Sequence, residues 1–370
     1  MQDPGFQQLK KSVIDADLCT RCGGCVASCP VDVLKFGPYR IEIEGECVNC
    51  GTCIRICPGS GVDFSSIEKD LFGKSRRSRF GTRHGINKKK LNLVATDREE
   101  FTRGYFGGRI SAVLINGLET GLIDGALVTG WSEGRYLSVG SATIARNRRD
   151  VLDHASSKYL FSPVLTLLKD VESDPTLENV ALVGLPCHVE AFRKMERDPI
   201  ARRYTTKVKY VIGLNCGAPN LDEKSWRKAV ERLTGVPGDE VKGFGNRKIK
   251  SDLLRFHVEL EGGSAKEVDV PLKRYFQVID SLPNWPRCDM CPDYSAELSD
   301  VTFGGPTIRT ERGEEIVMSA LENGRLKKGS AKRSVGQMVM DRAMCGRKRR
   351  RTREKIRERK KKGLPVPDFR

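Results

Sequence analysis

The 370-residue, 41.3 kDa chain is 38% hydrophobic and 31% charged, a balance that suits a soluble globular protein of two or three domains. No run approaches the roughly 18 apolar residues of a bilayer span, and the opening MQDPGFQQLKKSV lacks the apolar stretch of a secretory signal, so membrane-spanning and exported classes are set aside. The net charge of +17 is local: residues 327–362 hold 17 basic and 3 acidic side chains, whereas residues 1–326 hold 47 and 44, so the charge does not argue for nucleic-acid binding by the body.

Residues 1–66 are expected to form a compact metal-binding domain. Eight of the thirteen cysteines fall in two runs, CTRCGGCVASCP (19–30) and CVNCGTCIRICP (47–58). Each reads C-x2-C-x2-C-x3-C-P, the bacterial ferredoxin pattern for [4Fe–4S] clusters, in which three close thiolates grip one cluster and the fourth cysteine ligates the other. One cluster is therefore expected on Cys19, Cys22, Cys25 and Cys57, and the other on Cys47, Cys50, Cys53 and Cys29. Zinc sites use isolated C-x2-C pairs rather than triple repeats, and disulfides do not suit thiols this densely spaced. The run IEIEGEC between the two motifs reads as a short strand.

Residues 67–103 read as a basic linker, because 73–90 carry eight Lys and Arg and no acidic residue. From 104 to 322 helix-like and strand-like patterns alternate: ISAVLINGLETG then GALVTGW, SPVLTLLKDV then VALVGL, HVEAFRKME then KYVIGL, and DEKSWRKAVERL. That alternation predicts an α/β domain, with an antiparallel hairpin over LLRFHVELEGG and KEVDVPL. Cys187 and Cys216 each follow a short apolar strand, and Cys288 and Cys291 form a C-x2-C pair. Together they can supply four thiolates; equally, the first two can be buried core cysteines with only the pair special. Gly107 and Gly108 precede a helix starting near Arg109, a setting in which backbone N–H groups, Arg109 and Ser111 can meet a phosphate, although a plain tight turn uses the same pattern. Lys158 and Tyr159 stand before another helix, where they could grip a phosphate or a ring or simply be surface and core.

The last segment, 323–370, is expected as a basic tail that includes a helix with charge on every face. It could dock on an acidic partner, bind RNA or an anionic membrane surface, or stay solvated; the lack of interleaved aromatics weighs against RNA. Cys345 within it reads as an ordinary thiol.

The segments GGRISAVLINGLETGLIDGALV, SSKYLFSPVL, VALVGLPCHVEAFRK, VIGLNC and CDMCPDYSAELSDVTFGG, in that order over roughly 104–313, resemble the β-subunit family of F420-reducing hydrogenases and F420H2 dehydrogenases. With the double-cluster domain attached, the chain looks most like the electron-input subunit of F420H2 dehydrogenase complexes, with formate dehydrogenase β-subunits as related alternatives. The resemblance implies a flavin-binding mixed α/β domain in which FAD exchanges hydride with the deazaflavin coenzyme F420. It implies a third [4Fe–4S] cluster on Cys187, Cys216, Cys288 and Cys291, and a flavin beside Gly107, Gly108, Arg109, Ser111, Lys158 and Tyr159. Deazaflavin carries electrons in pairs and clusters carry them singly, so a flavin between them is the chemical reason these parts belong together. The implied setting is an anoxic cytoplasm, with a ferredoxin or redox-complex subunits as partners and peripheral docking to a membrane complex through the tail.

The chain departs from the family pattern at three places. Gly184-Leu185-Pro186-Cys187-His188 replaces the usual Gly-Thr-Pro-Cys-Gln, Ser156 stands where glycine or another small residue is common, and the segment between Gly304-Gly305 and Arg309-Thr310-Glu311 is short. The last feature leaves open a different substrate on the same scaffold, reduced with ferredoxin electrons. A relay subunit without flavin is the further alternative.

Overall fold

A computed structural model describes residues 5–370 except 38–39, 77–83, 105–106, 133–136, 157, 159, 218–219, 251 and 305–306. Tyr159 and Gly305 thus lie outside the described residues. The chain opens with α1 (Phe6–Leu9), which runs into a π-helical turn at Lys10–Ile14. Two similar cysteine loops follow, each ending in one helical turn, α2 (Gly24–Ala27) and α3 (Thr52–Arg55). Between them β1 (Leu34–Phe36) and β2 (Ile41–Ile43) form the antiparallel ribbon expected around IEIEGEC. Leu34 and Ile41 turn inward onto Phe6, Leu9 and Val13, so this small layer has its own apolar centre.

Next come β3 (Gly61–Val62) and α4 (Phe64–Phe72), the latter capped by the Asp63 carboxylate, which accepts the Ser66 N–H at 3.0 Å. The segment expected as a linker is instead partly woven into the body. It supplies β4 (Lys89–Lys90), β5 (Leu93–Ala95) and α5 (Arg98–Arg103). Leu93 and Val94 are buried, and a short apolar run inside a basic stretch is enough to recruit a strand.

The body is built on α6 (Arg109–Glu119), β6 (Gly125–Thr129), β7 (Ala142–Ala145), α7 (Arg148–Asp153), α8 (Leu168–Ser173), β8 (Val180–Gly184), α9 (Pro186–Arg197) and β9 (Val208–Leu214). Further on, β13 (Val301–Phe303), β14 (Thr307–Ile308) and α13 (Glu311–Glu322) complete it. The sheet order is β4-β14-β13-β9-β8-β6-β7, with β13, β9, β8 and β6 mutually parallel and the outer strands antiparallel. Parallel strands must be covered on both faces, which is why their sequences are nearly continuous apolar runs. Along β8, Ala181 and Val183 face α6 and α13, while Val180 and Leu182 face α9.

The second face carries a consequence for organisation. Its core joins Leu182, Val189, Phe192 and Met195 to Ile56, Phe64 and Ile67 of the cysteine-rich layer. The metal-binding layer is thus packed onto the sheet and its helices rather than strung beside them.

A third unit holds α10 (Glu223–Thr234), the antiparallel strands β10 (Val241–Lys250), β11 (Leu253–Leu260) and β12 (Ala265–Pro271), then α11 (Leu272–Asp280) and α12 (Pro286–Asp289). The expected hairpin is β11–β12, and its core centres on the fully buried Trp226.

The segment expected as a basic tail packs on the body of its own chain. After β15 (Leu326–Lys328), which pairs with β5, α14 (Ala331–Lys361) runs for 31 residues, about 46 Å at 1.5 Å per residue. Cys345 and Thr352 on it are fully buried, and Lys348 and Arg349 nearly so. Burial pushes the Cys345 thiol up to about 11. At its far end the Arg359 guanidinium donates to the Ala16 carbonyl at 2.9 Å. Finally β16 (Asp368–Phe369) pairs in parallel with β3, and Arg370 O accepts the Phe64 N–H at 2.7 Å. Among the described residues no helix is long and apolar enough to cross a membrane.

A buried ionic knot ties these parts. Glu297, fully buried, accepts from Arg76 and from Arg349, each at 2.7 Å, and Arg76 also pairs with Glu68 of α4. Removing one partner of such a cluster leaves charge uncompensated in a low-dielectric setting. Glu297→Gln should therefore cost roughly 3–5 kcal/mol, read as a lower denaturant midpoint with an unchanged slope.

Candidate functional site

The two cysteine loops share one backbone plan. Arg21 and Asn49, with φ of 52° and 53°, each turn an N–H onto the preceding sulfur, Arg21 to Cys19 Sγ and Asn49 to Cys47 Sγ, both at 3.4 Å. Two residues on, Gly23 and Gly51 take φ of 87° and 73°, starting the helical turns that present Cys25 and Cys53. At Gly23 a Cβ would also fall 2.8 Å from the Pro163 carbonyl. Each loop lines a cavity. One is lined by Cys19, Cys22, Cys25 and Cys57; the other by Cys47, Cys50, Cys53 and Cys29. The fourth cysteine of each run therefore stands at the other run's cavity, as the motif predicts.

Burial, then the neighbouring Cys57, pushes the thiols of Cys19 and Cys22 up to about 12 and 11. Sulfurs crowded against one another hold their protons until a cation replaces them, so these donors fit iron taken up with proton release. Among the described residues no three Cys, His, Asp or Glu side chains are arranged to hold a single metal ion.

The scattered cysteines also converge. Cys187 sits in the first turn of α9, just past β8, with Pro186 at the first helical position. Cys216 lies two residues beyond β9, and its N–H donates to Tyr294 O at 2.8 Å. Cys288 is in α12 and Cys291 just after it. The Cys187 thiol is raised by burial first, then by Cys216, Cys22 and Cys291; that of Cys288 is pushed up to about 12 by burial and then Cys216. The four are thus electrostatic neighbours, and Cys187 is close enough to Cys22 to feel the first cavity.

Two side chains that the sequence reading missed stand between these groups. The Trp285 indole N–H donates to Cys19 O at 2.9 Å, and its ring meets Phe161 edge-on at 5.4 Å. Arg287, 2% exposed, donates to Pro58 O at 3.1 Å and lies 3.5 Å from Glu190. Its Nε and Nη1 have no hydrogen-bond partner among the described residues. Burial disfavours its charge, but Cys291, Glu190, Cys187 and Cys288 outweigh that. A buried guanidinium with spare donors facing thiols fits an anionic cluster.

The glycine turn lies on the same edge of the sheet. Gly108, with φ of 68°, caps α6, and a Cβ there would fall 2.1 Å from Glu100 O, so packing on α5 already demands glycine. Arg109 is buried and donates to Gly304 O at 2.9 Å, which fixes the start of α6 at the exit of β13, beside Asn215. Ser111 is buried in the first turn. Carboxyl edges of parallel sheets are where ligands bind in such folds.

Lys158 is differently placed, on the loop after α7, which packs along α6. Its ammonium donates to the carbonyls of His154 at 2.5 Å and of Ala155 and Ser156 at 3.3 Å, and it lies 5.2 Å from the Trp131 ring. Burial brings it down to about 7. Its donors hold the loop in which Ser156 takes φ of 95°, a conformation glycine would adopt without strain. Nearby, β10 carries Asn246, buried with neither amide atom hydrogen-bonded; nothing in its sequence context marked it out.

The departure at His188 has a local reason. Its Nδ1 accepts the Leu185 N–H at 3.1 Å and its Nε2 donates to Ser162 O at 3.0 Å, so the ring does the reaching-back that a glutamine three residues past a helix cap does. Burial holds it down to about 4, hence neutral. His188→Gln should be tolerated, whereas His188→Leu should cost about 1–3 kcal/mol by stranding both partners, as measured by chemical denaturation of the two variants side by side.

Comparison with known proteins gives a consistent result. The family model for the C-terminal part of the coenzyme F420 hydrogenase/dehydrogenase beta subunit matches residues 177–334, the model for its N-terminal part matches 93–169, and a 4Fe-4S dicluster domain matches 11–70. The coenzyme F420 hydrogenase subunit beta of Methanococcus voltae is 30% identical over 294 residues, covering 76% of this chain and 99% of that protein. The coenzyme F420-dependent sulfite reductase of Methanocaldococcus jannaschii is 29% identical over 82% of this chain, which spans 46% of that protein's length. A chain of the F420-reducing [NiFe] hydrogenase complex of Methanosarcina barkeri superposes with a TM-score of 0.59 at 27% identity, covering 78% of this chain and 97% of that one.

Proposed function

The chain belongs to the coenzyme F420 hydrogenase/dehydrogenase beta-subunit family and carries a 4Fe-4S dicluster domain, and from that premise we propose that it is an iron–sulfur flavoprotein passing electrons between coenzyme F420 and one-electron carriers. It would do so as the electron-input subunit of an F420H2 dehydrogenase-like complex or as an F420:ferredoxin oxidoreductase. One observation carries the reading. Cys187 and Cys216 follow neighbouring parallel strands, Cys187 is electrostatically influenced by Cys216, Cys22 and Cys291 and Cys288 by Cys216, and Arg109 ties the glycine turn of α6 to the end of β13; this supports the reading.

In this reading Cys19, Cys22, Cys25 and Cys57 hold one [4Fe–4S] cluster, Cys47, Cys50, Cys53 and Cys29 a second, and Cys187, Cys216, Cys288 and Cys291 a third. FAD lies beside Gly107, Gly108, Arg109, Ser111, Lys158 and Tyr159. Bound there, FAD supplies the exchange between paired electrons, carried as hydride, and single ones. The chain's own groups orient and shield. Arg109 anchors the helix start to Gly304, Trp285 pins the first cysteine loop, and Arg287 sets a fixed positive charge between the first and third cysteine sets. Hydride exchange depends on two rings held face to face, so positioning rather than a side-chain acid or base is the protein's task.

A second reading, another substrate on the same scaffold, is favoured by the short segment after Gly304. Just past β14, Arg309 turns inward and donates to the carbonyls of His84, Ile86 and Ser295.

Anaerobically purified, cluster-reconstituted protein should hold about twelve irons per chain, falling to about eight in Cys216→Ser. Mixed with reduced coenzyme F420 and a viologen, it should restore deazaflavin absorbance, and removing the flavin should abolish that turnover. Full iron and FAD without turnover would overturn the F420 assignment in favour of the second reading. Cys25→Ser and Cys57→Ser should abolish the same cluster's paramagnetic signal.

A further inference from the structure

The family match ends at residue 334, and α14, which extends well past it, lies across the loops of the third cysteine set. The Lys348 ammonium, on a residue 4% exposed, donates to Cys216 O at 2.8 Å. One turn on, the fully buried Thr352 hydroxyl donates to Cys291 O at 2.9 Å. Arg351 forms an ion pair at 3.2 Å with Asp289, the neighbour of Cys288. At the other end of the contact Asp341 accepts from Tyr294 at 2.8 Å and from Asn215 at 3.2 Å, residues that flank the same loops.

The charges around the four sulfurs are few. Arg287 is matched by Glu190, and Asp293 accepts the N–H groups of Ser295 and Glu297. The Lys348 hydrogen bond goes to the Cys216 carbonyl rather than to a carboxylate, which leaves its charge beside a residue of the third cysteine set. Consistently, burial works against the ammonium, but Cys216, Cys291, Asp293 and Cys288 together raise it.

We propose that α14 is a charged lid over the Cys187, Cys216, Cys288 and Cys291 site, and that the buried Lys348 ammonium raises the reduction potential of the cluster held there. This rests on the third-cluster reading above. Reduction adds one electron to the cluster and breaks no bond; a fixed cation in a dry site favours the more negative state. The lid also excludes water from the Cys216 and Cys291 backbone.

The test is a redox titration of the anaerobically reconstituted full chain, followed by paramagnetic resonance. Lys348→Gln keeps a donor for Cys216 O and removes the charge; Lys348→Arg keeps the charge. At the wild-type midpoint, the reduced-to-oxidised ratio of one cluster should fall about tenfold in Lys348→Gln, about 59 mV for one electron, with the other two clusters and the Lys348→Arg protein unmoved. Thr352→Val removes a lid contact without changing charge, and an equal shift there would overturn the electrostatic role. So would wild-type titration in a Lys348→Gln protein of full iron content. Arg351→Gln, nearer the surface, keeps the question answerable where the buried variant fails to fold: it should shift the same cluster the same way by less, and no shift counts against the proposal. Failure of the third cluster itself reads differently, as about eight irons in the wild type, unchanged by Cys216→Ser.

Discussion

The apolar seam between the cysteine-rich layer and the sheet is the constraint from which the rest follows. Ile56, Phe64 and Ile67 share one core with Leu182, Val189 and Met195, and through it the loop carrying Cys22 is held against the helix carrying Cys187. Flexible tethering would not hold the two at a fixed separation; a shared apolar core does, because any shift would open cavities in a close-packed interior. The polar pins across the seam, Trp285 to Cys19 O and Lys194 to Cys57 O at 2.6 Å, add direction to a contact whose energy is apolar.

Electrostatics supplies the second layer of organisation. Burying Arg287 and Lys348 is costly, and neither is placed against a matching carboxylate alone; both stand where sulfurs gather. The cost is offset only when the sulfurs carry negative charge, so the cations and the cysteine set make physical sense together and poorly apart. The Glu297 knot with Arg76 and Arg349 does for structure what these cations do for the site: it fixes the segment after α4 and α14 to the loop that follows Cys291.

Much of the site was legible because its grammar is local. Three cysteines spaced by two residues turn inward together whatever surrounds them, so the two N-terminal sets, and even the exchange of Cys29 and Cys57, could be read without a fold. The strands were legible for the same kind of reason: VALVG and VKYVIGL are apolar enough for burial on both faces. The segment at 67–103 was misread because its charge outweighed three apolar residues that pair as β5. The packing of 323–370 against the body was not legible for a related reason. The docking face of α14 is made of Lys348, Arg349 and Thr352, and an interface built from cations, carbonyls and buried carboxylates leaves no hydrophobic periodicity to detect.

What the sequence determined alone was the metal chemistry of the first 66 residues and the alternating pattern of the body, since both depend on spacings of a few residues. Only the tertiary structure decided which distant segments end on one edge. Cys187 and Cys216 follow β8 and β9, parallel neighbours that end on one edge, and the glycine turn reaches that edge through the Arg109 bond to Gly304. Strand order, and the charge that a buried helix carries into a site, depend on contacts between residues far apart in the chain, and no local spacing encodes them.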